Sequence, residues 1–114
     1  MILVYLTLAM VLIHIAGTVL SFSGRTFPKA VGYPVAVYEM AYYFFLVISP
    51  VLYVNYILTA IAYLYLLVHV IGGAAYLRGL LGAMYTPTRL KYYGAYELVE
   101  ALYLVSVLLL VWRE

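Results

Sequence analysis

The chain has 114 residues, of which 69% are hydrophobic and 9% charged, and a formal net charge of +2; its mean hydropathy is +1.12. A water-soluble domain this small cannot hide so much apolar surface, which excludes a soluble globular fold, and so low and dispersed a charge excludes a nucleic-acid partner. With no cysteine, disulfides, thiol chemistry and iron–sulfur ligation are excluded as well.

A helix needs roughly 20 apolar residues to cross a bilayer core. Four segments supply them: Ile2–Phe22, 34–53, 54–77 and 93–112, whose only ionised residues are glutamates. The first has no basic residue before it and is long enough to span, so it reads as a retained helix and not as a cleaved signal. The strongly apolar part of the second ends at Ser49-Pro50, which predicts a tight turn within 49–55. Arg25 and Lys29 fall between the first and second spans, Arg78, Arg89 and Lys91 between the third and fourth, and only Arg113 on the other side. The positive-inside rule then places both longer loops in the cytoplasm and both termini outside. The expected fold is an all-α integral membrane protein, a four-transmembrane-helix up-down bundle forming one domain over 1–114. It would sit in the cell membrane with the lipid bilayer around it, and with other membrane subunits or further copies of itself as partners.

An internal repeat supports this organisation. Leu12-Ile13-His14-Ile15-Ala16-Gly17 aligns with Leu67-Val68-His69-Val70-Ile71-Gly72, and Val37-Tyr38-Glu39-Met40 with Ala95-Tyr96-Glu97-Leu98. The second match is offset slightly further along the chain than the first, as a small difference in loop length produces. Each half (1–53 and 54–114) therefore reads as helix, basic loop, helix, with a histidine on its first helix and a glutamate on its second. Two such hairpins in one orientation imply a pseudo-two-fold axis along the membrane normal.

The polar residues define the interior. His14 shares a helical face with Thr7, Met10, Gly17, Thr18 and Ser21, and His69 shares one with Ala62, Tyr65, Gly72, Gly73 and Tyr76; small and polar faces turn inward in a membrane bundle. If the helices alternate around the axis, the first and third are diagonal partners roughly 11–14 Å apart, given packing distances of about 8–10 Å between neighbours. Two histidine arms with an iron between them fit that gap. Gly17 and Gly72, one turn from each histidine, leave room for a flat macrocycle, which is the arrangement of a bis-histidine haem b. The bulky run Tyr42-Tyr43-Phe44-Phe45 requires its rings to turn outward for this to work.

On Leu12–Gly17 and 67–73, the sequence resembles membrane cytochrome b subunits, including the small haem-bearing anchors of succinate dehydrogenase and fumarate reductase. The resemblance implies His14 and His69 as axial ligands, with electron transfer to or from quinone inside a respiratory or redox complex. The chain would then be a subunit of an oxidoreductase and not an enzyme by itself.

Three other readings stand beside it. Glu39 and Glu97 lie at depths within about one turn of the histidines, so two His and two Glu would make a non-haem site for zinc, iron or manganese with one ligand per helix. Glu100, one turn after Glu97, would extend the carboxylates Glu39, Glu97 and Glu100 into a proton path. The plainest alternative is a cofactor-free accessory subunit, with each histidine hydrogen-bonded to a neighbour at about 0.6–2 kcal/mol and the glutamates hydrated near the interface or favoured by helix dipoles. A second resemblance, to the small multidrug resistance transporters, rests on His14, Gly17 and Thr18, and on Thr59-Ala60-Ile61-Ala62-Tyr63. It implies proton-coupled transport, although His14 stands where that family carries its exchanging carboxylate.

Overall fold

The structure, a computed structural model, describes residues 2–82 and 85–113. It contains four long helices, α1 (Ile2–Phe22), α2 (Lys29–Ile48), α3 (Tyr56–Leu77) and α4 (Pro87–Trp112), with a 3-10 turn at Pro50–Val54 between α2 and α3. All four are long and apolar enough to cross a membrane.

Local chemistry sets where each helix stops. α1 and α3 end in the same device: Gly24 and Gly79 adopt left-handed backbone, φ 76° and 73°. The next residue's N–H then reaches back to satisfy an orphaned carbonyl, Arg25 N to Leu20 O at 2.8 Å and Leu80 N to Ala75 O at 2.9 Å. Only glycine takes that conformation without a Cβ penalty. α2 stops at Ile48 because Ser49 is driven into extended backbone by the proline that follows it. After the 3-10 turn, the Asn55 carboxamide accepts from Ile57 N and Leu58 N, both at 3.1 Å, and opens α3. Thr86 and Pro87 open α4.

The tight turn expected within 49–55 is present. The boundaries of three spans differ from the hydropathy reading: α2 is shifted toward its N-terminus, α3 begins at Tyr56 instead of residue 54, and α4 begins at Pro87 instead of residue 93. Six further residues, among them Arg89 and Lys91, are helical because α4 starts from a side-chain cap outside its apolar stretch. At 26 residues the helix is about 39 Å long at 1.5 Å per residue, more than a bilayer core requires.

The closest packing is not between sequence neighbours. α1 runs along α4 and α2 along α3, whereas α1 and α2 touch little and α3 and α4 less. Tyrosines bridge the wider seams: Tyr38 Oη donates to Leu6 O and Tyr103 Oη to Leu58 O, each at 2.7 Å, and Tyr42 Oη pairs with Thr7 Oγ1 at 2.9 Å. The half of the bundle nearer the 3-10 turn is solid, filled by residues that include Met10, Tyr42, Tyr43, Leu46, Leu52, Leu104 and Val107. The other half, toward the basic loops, is hollow.

Candidate metal centre

The hollow ends at mid-bundle on a cluster to which every helix contributes. α1 brings His14, α2 Glu39, α3 His69 and α4 Glu100, with one ligand atom from each lying within 4.8 Å of all the others. His14 and Glu100 are fully buried, and the Glu39 and His69 side chains are 13% exposed. The faces expected to turn inward do so: Thr7, Met10, Gly17 and Ser21 are buried beside His14, and Ala62 and Tyr65 near His69.

His14 is held by its own helix. Its Nδ1 lies 2.9 Å from the Met10 carbonyl, and because a carbonyl only accepts, Nδ1 carries the hydrogen and Nε2 faces the cluster. There Nε2 stands 2.9 Å from Glu100 Oε2, 3.2 Å from Glu39 Oε2 and 3.5 Å from Glu97 Oε2. These are charge contacts without the alignment of a hydrogen bond, and Nε2 has no aligned hydrogen-bond partner among the described residues. His69 lies with Nε2 2.7 Å from Glu100 Oε2 and Nδ1 3.2 Å from Glu39 Oε2. The two imidazole centres are 6.0 Å apart and nearly perpendicular.

Tyrosine orients the remaining groups. Tyr43 Oη donates to Glu100 Oε2 at 2.8 Å, and its ring lies almost flat on His69, centre to centre 5.1 Å at 14°. Glu100 Oε1 is buried without an aligned hydrogen-bond partner among the described residues, and the Tyr96 hydroxyl lies beside the Glu100 carboxylate.

These distances have a simple geometric meaning. Atoms bound about 2.1 Å from one ion stand about 3.0–3.4 Å apart in neighbouring positions and at most about 4.2 Å apart across it. The close contacts of 2.7–3.5 Å lie around the first range, and the outer limit of 4.8 Å requires a contraction of about half an ångström. The His69 Nε2–Glu100 Oε2 contact is an aligned hydrogen bond at 2.7 Å, whereas the contacts of His14 Nε2 with the carboxylates are not aligned. Two imidazole nitrogens and two carboxylate oxygens without sulfur suit zinc, iron or manganese. The Met10 carbonyl and the Tyr43 hydroxyl are then the outer partners that fix ligand orientation.

The sequence-derived residues are distributed as follows. His14, His69 and Glu39 converge. Glu100, read as the far end of a proton path, is the α4 member of the cluster, and Glu97, expected in that position, sits beside it. Glu97 fills the space over Gly17, where an added Cβ would meet its Oε2 at 3.2 Å. Gly72 behaves differently, with nothing within 4 Å of its added Cβ, and it faces a cavity of about 170 Å³ whose floor is Glu39, His69 and Glu97. Tyr43 was missed as a site residue because the aromatic run read as bulk to be turned outward. Instead Tyr42 and Tyr43 are buried while Phe44 and Phe45 are exposed. Its position one turn after Glu39 on α2 was the available signal.

The chain matches no family model, no curated protein and no solved structure, so the geometry of the centre carries the functional reading by itself.

Proposed function

We propose that the chain is a cell-membrane protein that holds one first-row divalent metal ion at the centre of its bundle, with His14, Glu39, His69 and Glu100 as ligands and Glu97 as an adjacent third carboxylate. The observation that carries this reading is the fully buried His14 Nε2, fixed in direction by the Met10 carbonyl and facing carboxylate oxygens with which it makes no aligned hydrogen bond. Buried carboxylates at this depth are costly unless an opposite charge compensates them; the imidazoles beside them do so only when protonated, whereas a bound cation does so outright. A centre of this kind supplies Lewis-acid or one-electron chemistry to a molecule reaching it through the cavity. The solid half of the bundle argues against a pore. Duplication is part of the proposal: the glycines ending α1 and α3 each lie ten residues beyond the corresponding histidine, and exchanging the two halves maps the α1/α4 pair onto α2/α3.

A haem between His14 and His69 is the second reading, favoured by the separation of the rings. A porphyrin there meets the carboxylates of Glu39 and Glu100, which touch both imidazoles, and the Tyr43 ring lying on His69. A cavity of about 170 Å³ is also close to the roughly 150 Å³ that holds one benzene ring, far less than a macrocycle needs. Elemental analysis and an absorption spectrum of protein purified without affinity metals separate the two. The expected result is about one equivalent of zinc, iron or manganese and no Soret band, with the ion lost in His14→Ala and Glu100→Ala. A Soret band removed by the same substitutions would establish the haem instead.

A further inference from the structure

The cavity above the centre has a composition that selects a ligand. Its walls are apolar, with Ile13, Val35 and Val68 among them, while its floor presents the carboxylates of Glu39 and Glu97. Carboxylates accept hydrogen bonds and repel a carbonyl oxygen, and the ring nitrogens of His69, also on the floor, face Glu39 and Glu100, so the floor favours a hydroxyl donor. Tyr96 also lines the cavity, with its hydroxyl buried beside the Glu100 carboxylate. The volume admits one six-membered ring.

The way in is lateral. α3 and α4 are not closely packed, and Val68 of α3 and Tyr93 of α4 both line the cavity and are 38% and 41% exposed. Gly72, one turn beyond Val68, removes the side chain that would fill the opening. A molecule dissolved in the apolar layer around the helices can therefore pass between α3 and α4 without crossing the polar loops.

We infer that this cavity binds a single-ring phenol taken up from the membrane through the α3/α4 seam, with its hydroxyl directed to Glu39 and Glu97. The inference rests on the proposed metal centre for what lies beneath the floor, yet its recognition elements are residues of the chain alone.

Fluorine NMR of detergent-solubilised, zinc-loaded protein with 4-fluorophenol and 4-fluorotoluene tests it. A charge-assisted hydrogen bond gained by the hydroxyl corresponds to a preference of about tenfold or more. The expected result is saturable phenol binding at least about tenfold tighter than toluene binding, abolished by Gly72→Leu or Val68→Phe while zinc content is unchanged. The retained zinc shows that the variants fold. Equal affinity for the two rings, no saturable binding, or phenol binding undiminished in both cavity-filling variants would overturn the inference. Failure to load zinc would overturn the metal reading, and the same ring comparison on the metal-free protein would then decide the phenol site separately.

Discussion

Glu97 and Glu100 differ by three positions on α4, yet the centre treats them unequally. Glu100 touches both histidines and takes the Tyr43 hydroxyl, whereas Glu97 reaches only one histidine, His14 at 3.5 Å, and lies against Tyr93. Removing one partner of a buried charged set leaves the others uncompensated, at a cost of about 3–5 kcal/mol. Glu100→Ala is thus expected to lower the thermal unfolding temperature of the metal-free protein well below that of Glu97→Ala, and equal shifts would count against the ranking. Tyr43→Phe keeps the ring on His69 but removes the donor to Glu100, so zinc affinity should fall by about 10–100-fold, as for other outer partners of metal ligands; competition with a chromophoric chelator measures it. The sequence showed both glutamates but could not rank them. Residues three apart differ by about 60° around the helix and about 4.5 Å in depth, so a small rotation or stagger of α4 exchanges them. The contact that settles the matter is between helices: Gly17 on α1 makes room for the Glu97 carboxylate.

At the scale of elements, the spans were legible because hydropathy and length alone determine them, and α1 was readable to its last residue. The α2–α3 connection was readable as a turn from Ser49-Pro50 and Asn55, each of which acts through its own backbone chemistry. What was not legible was the start of α4, since Thr86 and Pro87 cap a helix whose first residues are polar and carry no hydropathy signal. The partners of each helix were also hidden, because connectivity suggests that α1 packs on α2 whereas its main partner is α4. The Asn55 cap is a local test of the connection: Asn55→Ala loses two backbone hydrogen bonds and should destabilise the bundle by about 1 kcal/mol, measured by reversible unfolding in mixed micelles. Asn55→Asp, which retains the acceptor, should lose much less.

For the molecule as a whole, the basic loops predict a single orientation. The chain has no cysteine, so single-cysteine variants report sidedness directly: Ser23→Cys and Thr88→Cys should react with an impermeant maleimide only from the cytoplasmic face, and Tyr53→Cys only from outside. Reversed or mixed labelling would refute the assignment. Ser23, Thr88 and Tyr53 are all exposed in the structure, so lack of reaction reflects the membrane and not burial. The predicted orientation would place the hollow half toward the cytoplasm, with the solid aromatic half behind it. The pairing of α1 with α4 has a further consequence for biogenesis. The ribosome delivers α1 first and α4 last, so the polar stripe of Thr7 and His14 enters the membrane long before the helix bearing Glu97 and Glu100 exists. Until translation passes Pro87 the nascent bundle lacks two of its three intramembrane carboxylates and the principal partner of its first helix. A chain truncated before Pro87 should be cleared by membrane quality control in pulse-chase experiments, while supplying α4 as a separate polypeptide should restore its lifetime.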